Sequence, residues 1–138
     1  DQERMRSLLV QEAATSNTPW YYLGHLAEVE ELGGNKARAV ELLAEAWTKA
    51  QGPASRFQWG YNYVSGLVRL TPDDTATVER AGLAVLGELA GPDSVHGRTR
   101  IRLEKLAGQL KDWNTTPARA AVANRLDGEI ARLQATRT

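Results

Sequence analysis

From Leu23 to Pro53 apolar residues return every three or four positions, stop at a pair of glycines, and begin again. Leu23, Leu26, Ala27 and Val29 form one stripe, and Ala39, Val40, Leu43, Ala46 and Trp47 form the next. That period is helical. Gly33 and Gly34 end the first helix, because glycine reaches the left-handed conformation without a Cβ clash. Asn35 is then placed to cap the second helix by accepting a bond from a free backbone N–H. Each helix has a single apolar face, so the pair has to stack on further helices.

The same punctuation divides the whole chain. Residues 1–16 carry Met5, Leu8, Leu9 and Ala13 at helical spacing. Asn17-Thr18-Pro19 breaks that helix and starts another, with Thr18 as cap and Pro19 in the first turn, where its missing N–H is harmless. Helices are predicted over about Pro19–Leu32, Lys36–Ala50, Pro53–Leu70 and Thr75–Leu89. Asp73-Asp74 supplies acid to the start of the last of these. A sixth, capped by Asp93 or Ser94, ends near Trp113 with Leu103, Leu106, Leu110 and Trp113 buried. Asn114-Thr115-Thr116-Pro117 repeats the earlier start signal. A seventh helix follows to Gln134, with Ala121, Val122, Leu126, Ile130 and Leu133 inward. No segment alternates like a strand. The expectation is an all-α protein of about seven helices, one domain over 1–134, with 135–138 frayed.

Composition narrows the function. Seventeen basic and seventeen acidic residues cancel, so no overall field recruits nucleic acid or an anionic membrane. No apolar run is long enough for a transmembrane helix, and membrane insertion is not expected. The chain has no cysteine, which excludes thiol catalysis and cysteine metal sites within it and leaves the compartment open. It begins at Asp1, with no signal-peptide pattern, and reads as a mature form or an excised piece of something longer.

Two-helix units of about 34 residues are the period of tetratricopeptide repeats. Leu23, Leu26 and Ala27 occupy the first-helix packing positions of that motif. Ala39, Leu43 and Ala46 occupy the second-helix positions, and Pro53 follows. The first helix departs from the motif: Leu23 stands for the usual Trp, and Glu30 for an aromatic. Residues 1–16 match the closing helix of a preceding unit, and 54–90 a longer, degenerate one. This predicts antiparallel pairs in a tetratricopeptide-like, right-handed array. The irregular helical bundle is the alternative.

A further likeness rests on the phrases GPASRFQWGYNYVSGLVRLTPDD and RTRIRLEKLAGQLKDWN. Over roughly residues 1–114 the chain resembles the helical C-terminal region of bacterial thioredoxin-family, disulfide-isomerase-like proteins. The resemblance implies a domain accessory to a thioredoxin fold outside this chain, holding that domain or its redox clients, and it favours the bacterial periplasm over the cytoplasm. No redox site carries over, because there is no cysteine.

The fourth helix has the densest aromatic cluster. Phe57, Tyr61, Val64 and Val68 read as core, whereas Arg56, Trp59, Asn62, Tyr63 and Gly66 lie on another side. In stacked pairs the first helices of successive units line a concave groove, and Tyr21, Gly24 and Glu28 lie on the matching side of the second helix. Tyr21, Glu28, Arg56, Trp59, Asn62 and Tyr63 are therefore candidates for binding an extended peptide or a protein partner. Packing of Trp59 and Tyr63 against neighbouring helices is the competing reading. Arg98, Arg102 and Lys105 share one helix face and are a candidate patch for an acidic partner. A plain solvated surface is its alternative. His25 and His96 have no metal-ligand spacing. Glu30-Glu31 and Asp73-Asp74 are neighbours whose side chains diverge. There is no nucleophile elbow and no phosphate loop. No catalytic residue, metal or cofactor is indicated. The expectation is a non-catalytic interaction module. A dimerisation or spacer domain of open oligomeric state is the alternative, and a small enzyme or ligand binder with a closed polar cavity the third reading.

Overall fold

Asp1 starts the first helix itself: its carboxylate accepts from the backbone N–H of Glu3 at 2.9 Å and of Arg4. The computed structural model describes residues 1–89, 91, 94–95 and 97–135. Among them it has seven α-helices and no strand: α1 Gln2–Thr15, α2 Pro19–Leu32, α3 Lys36–Lys49, α4 Pro53–Leu70, α5 Thr75–Gly87, α6 Gly97–Trp113 and α7 Pro117–Ala135. None is long and apolar enough to cross a membrane. Asp93, His96 and the tail 136–138, all part of the sequence reading, lie outside the described residues. Ala135, expected to fray, closes α7.

The first four helices pack in chain order. Beyond α4 the packing branches, with α4 against α5 and α6, and α7 against both of those. The array therefore thickens into two layers at α4. Two cores result. Leu23, Leu26, Ala27, Leu42, Leu43 and Ala46 form the smaller one, between α2 and α3. The larger one joins α4 to α7 around Phe57, Val64, Leu67, Leu86, Leu106 and Leu126. Tyr63 packs on both. Small residues sit where helices touch. A Cβ on Gly66 would meet Leu43 of α3 at 2.5 Å, and one on Gly82 would meet Leu126 of α7 at 2.8 Å. Gly66 is thus interior, not on the outer side of α4 as its sequence position implied.

Several expected caps form differently. Gly33 keeps a right-handed φ, and only Gly34 is left-handed, at φ 83°. Asn35 and Thr18 precede their helices but make no side-chain cap bond. The Asn35 amide instead donates to Glu30 at 3.4 Å. Asp74 does cap α5, accepting from Thr77 N–H at 3.3 Å, and Thr116 accepts from Arg119 N–H at 3.2 Å. Helix α5 ends two residues before Leu89, because Glu88 and Leu89 donate back to Val85 and Leu86 in tight turns. Helix α6 is described from Gly97 onward, and the residue directly before it lies outside the described residues. On α7, Ala121 is exposed and Ala123 takes its place in the core.

Among the described residues Glu30 is the buried charge, 7% exposed. It stands where the repeat motif expects an aromatic, and Arg6 of α1 holds it, with Nε 2.6 Å from Oε1. This bond compensates for a weak apolar seam. Helix α1 has no buried residue. Leu9 and Ala13 lean on the smaller core, but Met5 and Leu8, predicted inward, are each half exposed. Arg6→Ala would leave the Glu30 carboxylate buried without its cation. Because Arg6 is partly solvated, we expect a loss of about 2 kcal/mol, below the usual range for a fully buried pair. Adding Glu30→Leu should restore most of it, as read from urea unfolding midpoints.

Candidate functional site

Helix α4 buries most of its circumference, against α3, α5 and α6. Among its partly exposed residues, Trp59, Asn62, Ser65 and Arg69 form one stripe at steps of three and four residues. Two clefts meet along it. The first, of about 170 Å³, lies between α2 and α4 and is lined by Gly24, Ala27, Glu28 and Glu31 from α2, by Leu43, and by the whole stripe. The second, of about 440 Å³, lies between α4 and the ends of α6 and α7. Val68, Pro72 and Trp113 give it apolar walls, and Ser65, Arg69, Gln109, Asp112 and Arg119 give it polar ones. Ser65 and Arg69 line both, so the two clefts adjoin at these residues and together make up the groove.

Each wall is held by a defined contact. Gly24 makes the first cleft possible, since a Cβ there would lie 2.1 Å from the Trp59 ring. The ring therefore lies flat against the α2 backbone. Arg69 spans the groove and grips Glu31 through two bonds, Nε to Oε2 at 2.9 Å and Nη2 to Oε1 at 2.8 Å. The Arg69 hydrogen bond draws the Glu31 carboxyl below its ordinary pKa, against a smaller opposing effect of burial. In the second cleft Trp113 donates its indole N–H to the Pro72 carbonyl at 2.9 Å. Arg119 lies over the Trp113 ring, 5.8 Å from its centroid, and reaches Asp73 at 2.7 Å. Gln109 donates to the Tyr61 hydroxyl at 3.1 Å, while its own carbonyl oxygen is buried with no bond.

Of the six groove residues read from the sequence, the structure brings Glu28, Trp59 and Asn62 together in the first cleft. The other three lie outside the lining of either cleft. Tyr21 is 51% exposed and packs edge-on against His25 and Tyr22. Arg56 is consumed by structure: it binds Glu88 at 2.7 Å, donates to the carbonyls of Trp47, Thr48 and Ala50, and so ties the end of α3 to α4 and α5. Tyr63 stacks on Trp47, with centroids 5.8 Å apart, and burial pushes its phenol pKa up. Ser65 and Arg69 were missed, although extending the step from Trp59 to Asn62 along α4 leads to them. Glu31, Gln109, Asp112 and Arg119 had no local signal, because their partners are remote in sequence.

Arg98 and Lys105 are exposed and Arg102 half-buried on α6, and none of the three forms an ion pair among the described residues. His25 is a surface residue 3.9 Å from Glu28. Among the described residues no three His, Asp or Glu side chains converge as metal ligands. The carboxyl whose pKa burial raises, Asp127, lines neither cleft. Comparison with family models, curated proteins and solved structures gives no match. The likeness to thioredoxin-family helical regions therefore rests on the phrases that carry it.

The Glu31–Arg69 clamp has a pH signature. Its carboxylate pKa is lowered on folding, so its contribution to stability is full above the unfolded glutamate pKa and is lost as pH falls through the folded one. Both partners are partly exposed, which limits the effect to about 0.5–1 kcal/mol. Glu31→Gln should lower the unfolding free energy by that amount at neutral pH. The gap to the wild type should close on acidification below the ordinary glutamate range, as followed by thermal melts across pH.

Proposed function

We propose that the protein is a non-catalytic interaction module that binds an extended polypeptide segment across α4. The observation that carries the reading is that two surface clefts adjoin at Ser65 and Arg69. Two adjoining clefts suit a chain rather than a compact molecule. An extended ligand presents side chains to successive pockets while its backbone meets polar groups between them. Here Trp59 offers an aromatic wall in one pocket, and Val68, Pro72 and Trp113 an apolar one in the other. Asn62, Ser65 and Gln109 stand between as hydrogen-bonding groups. Both pockets are clefts in the surface, which supports a polypeptide ligand over an enclosed small molecule. The thioredoxin-family likeness supplies a context for such a module: a neighbouring thioredoxin fold, or the clients of one, as the bound chain.

Ser65 is the place to test this. It lines both clefts and lies outside both cores, so Ser65→Tyr fills the junction without removing a packing contact. We expect the variant to keep the wild-type melting temperature within a few degrees and to lose capture of peptides from a display library that the wild type retains. Equal capture by both proteins would remove the groove reading.

A second reading, association through α1, is favoured by one feature. Met5 and Leu8, neighbours on one side of α1, are each about half exposed, and among the described residues α1 packs chiefly on α2. If this face joins two copies, the solution mass should fall from dimer to monomer on dilution, and Met5→Glu/Leu8→Glu should give a monomer at every concentration. A wild type that stays monomeric throughout excludes it.

A further inference from the structure

Along α6, residues 98, 102, 105, 109 and 112 follow one another by steps of four and three, which places them on a single stripe of the helix. The last two, Gln109 and Asp112, line the larger cleft. The first three are Arg98, Arg102 and Lys105. The polar wall of the cleft therefore continues up α6 as three cations in a row.

These cations differ from the other basic groups around the groove. Both arginines of α4 have carboxylate partners, Arg56 with Glu88 and Arg69 with Glu31. All three of α7 do as well, with Asp73, Glu79 and Glu129. Arg98, Arg102 and Lys105 have none among the described residues. Like charges at this spacing repel one another along a helix. Arg98 also sits in the first turn, where the helix dipole is itself positive. Among the described residues the stripe is thus a row of cations without paired carboxylates, and it begins where an apolar pocket ends. Asp112 stands at the opposite end, and its charge fixes the direction: an anionic ligand is attracted towards Lys105 and Arg102 and repelled past Trp113.

We propose that the segment bound in the groove is acidic on one side of an apolar anchor. A leucine-like or aromatic side chain enters the cleft floored by Val68, Pro72 and Trp113. The glutamates or aspartates next to it then run along Lys105, Arg102 and Arg98. This rests on the groove reading above and adds the chemical class of its ligand. A peptide fits the stripe better than nucleic acid does, because the charges occupy one side of a single helix, about 10 Å long, beside an apolar pocket, on a chain with no net charge.

The test uses short fluorescein-labelled peptides with one leucine followed by a run of glutamates, of serines or of lysines, read by anisotropy at low and high salt. The glutamate peptide should bind about tenfold tighter than the serine peptide at low salt, and the lysine peptide weakest. The preference should shrink as salt rises. Arg98→Glu/Lys105→Glu, which alters only exposed positions, should erase or invert the order while Ser65→Tyr removes binding of all three. Equal binding of the three peptides, unchanged by the charge reversal but abolished by Ser65→Tyr, overturns the acidic preference and leaves the groove standing. Binding of none overturns both. Glutamate-peptide binding that survives Ser65→Tyr, or that a single-stranded oligonucleotide displaces at equal concentration, shows a general anion surface and overturns the proposal.

Discussion

The architecture depends on how nearly α4 can be surrounded. It is the element on which the two cores meet, and its glycines let the neighbours come close. Gly66 admits Leu43 of α3, and Gly60 admits Trp47 and Val85. Glycine is a poor helix former, so a helix with Gly60 and Gly66 near its centre is stable only through the packing those positions allow. Burial against its neighbours leaves part of α4 accessible. The groove runs along one stripe of that part, Trp59, Asn62, Ser65 and Arg69, and its position follows from which contacts α4 makes.

Polar groups then hold what apolar packing leaves loose. Helix α1 has no buried side chain and is tied to α2 by Arg6 and Glu30. Arg69 and Glu31 join α4 to α2 across the groove. Arg56 gathers the last carbonyls of α3 and the Glu88 carboxylate into one bonded cluster. These links differ in kind. The Glu30 pair replaces an aromatic in a buried seam, where an unpaired charge would be costly. The Glu31 pair lies at the surface, where each bond is worth little in stability but fixes the shape of both clefts. An arginine at the wall of a pocket is not thereby available to a ligand. Arg56, Arg69 and Arg119 all have carboxylate partners, whereas Arg98, Arg102 and Lys105 of α6 have none among the described residues.

The candidate site was half legible. Trp59 and Asn62 were visible as polar and aromatic positions off the core stripe of α4, and Glu28 as their counterpart on α2. Tyr21, Arg56 and Tyr63 looked equivalent by spacing but are not. Tyr63 is drawn inward by the Trp47 ring, and Arg56 by three open carbonyls at the end of α3. Helical phase gives the direction in which a side chain leaves the helix and nothing about what it meets there. The second cleft, built from Pro72, Gln109, Trp113 and Arg119, joins residues too far apart in the chain for any local pattern to connect.

By itself the sequence determined that the chain is all-helical, with about seven helices, and where nearly all of those described begin and end. Those properties are local: apolar period, proline in the first turn, glycine and turn residues at the breaks. It also determined most of the core, because an amphipathic helix must bury its apolar stripe. Tertiary structure alone decided that α7 packs on both α5 and α6, that Glu30 needs Arg6, and that Met5 and Leu8 stay in water. It also decided which side of α4 was left open. Each of these depends on which helix happens to face another, and contacts between remote residues are chosen by how all seven helices share their burial at once.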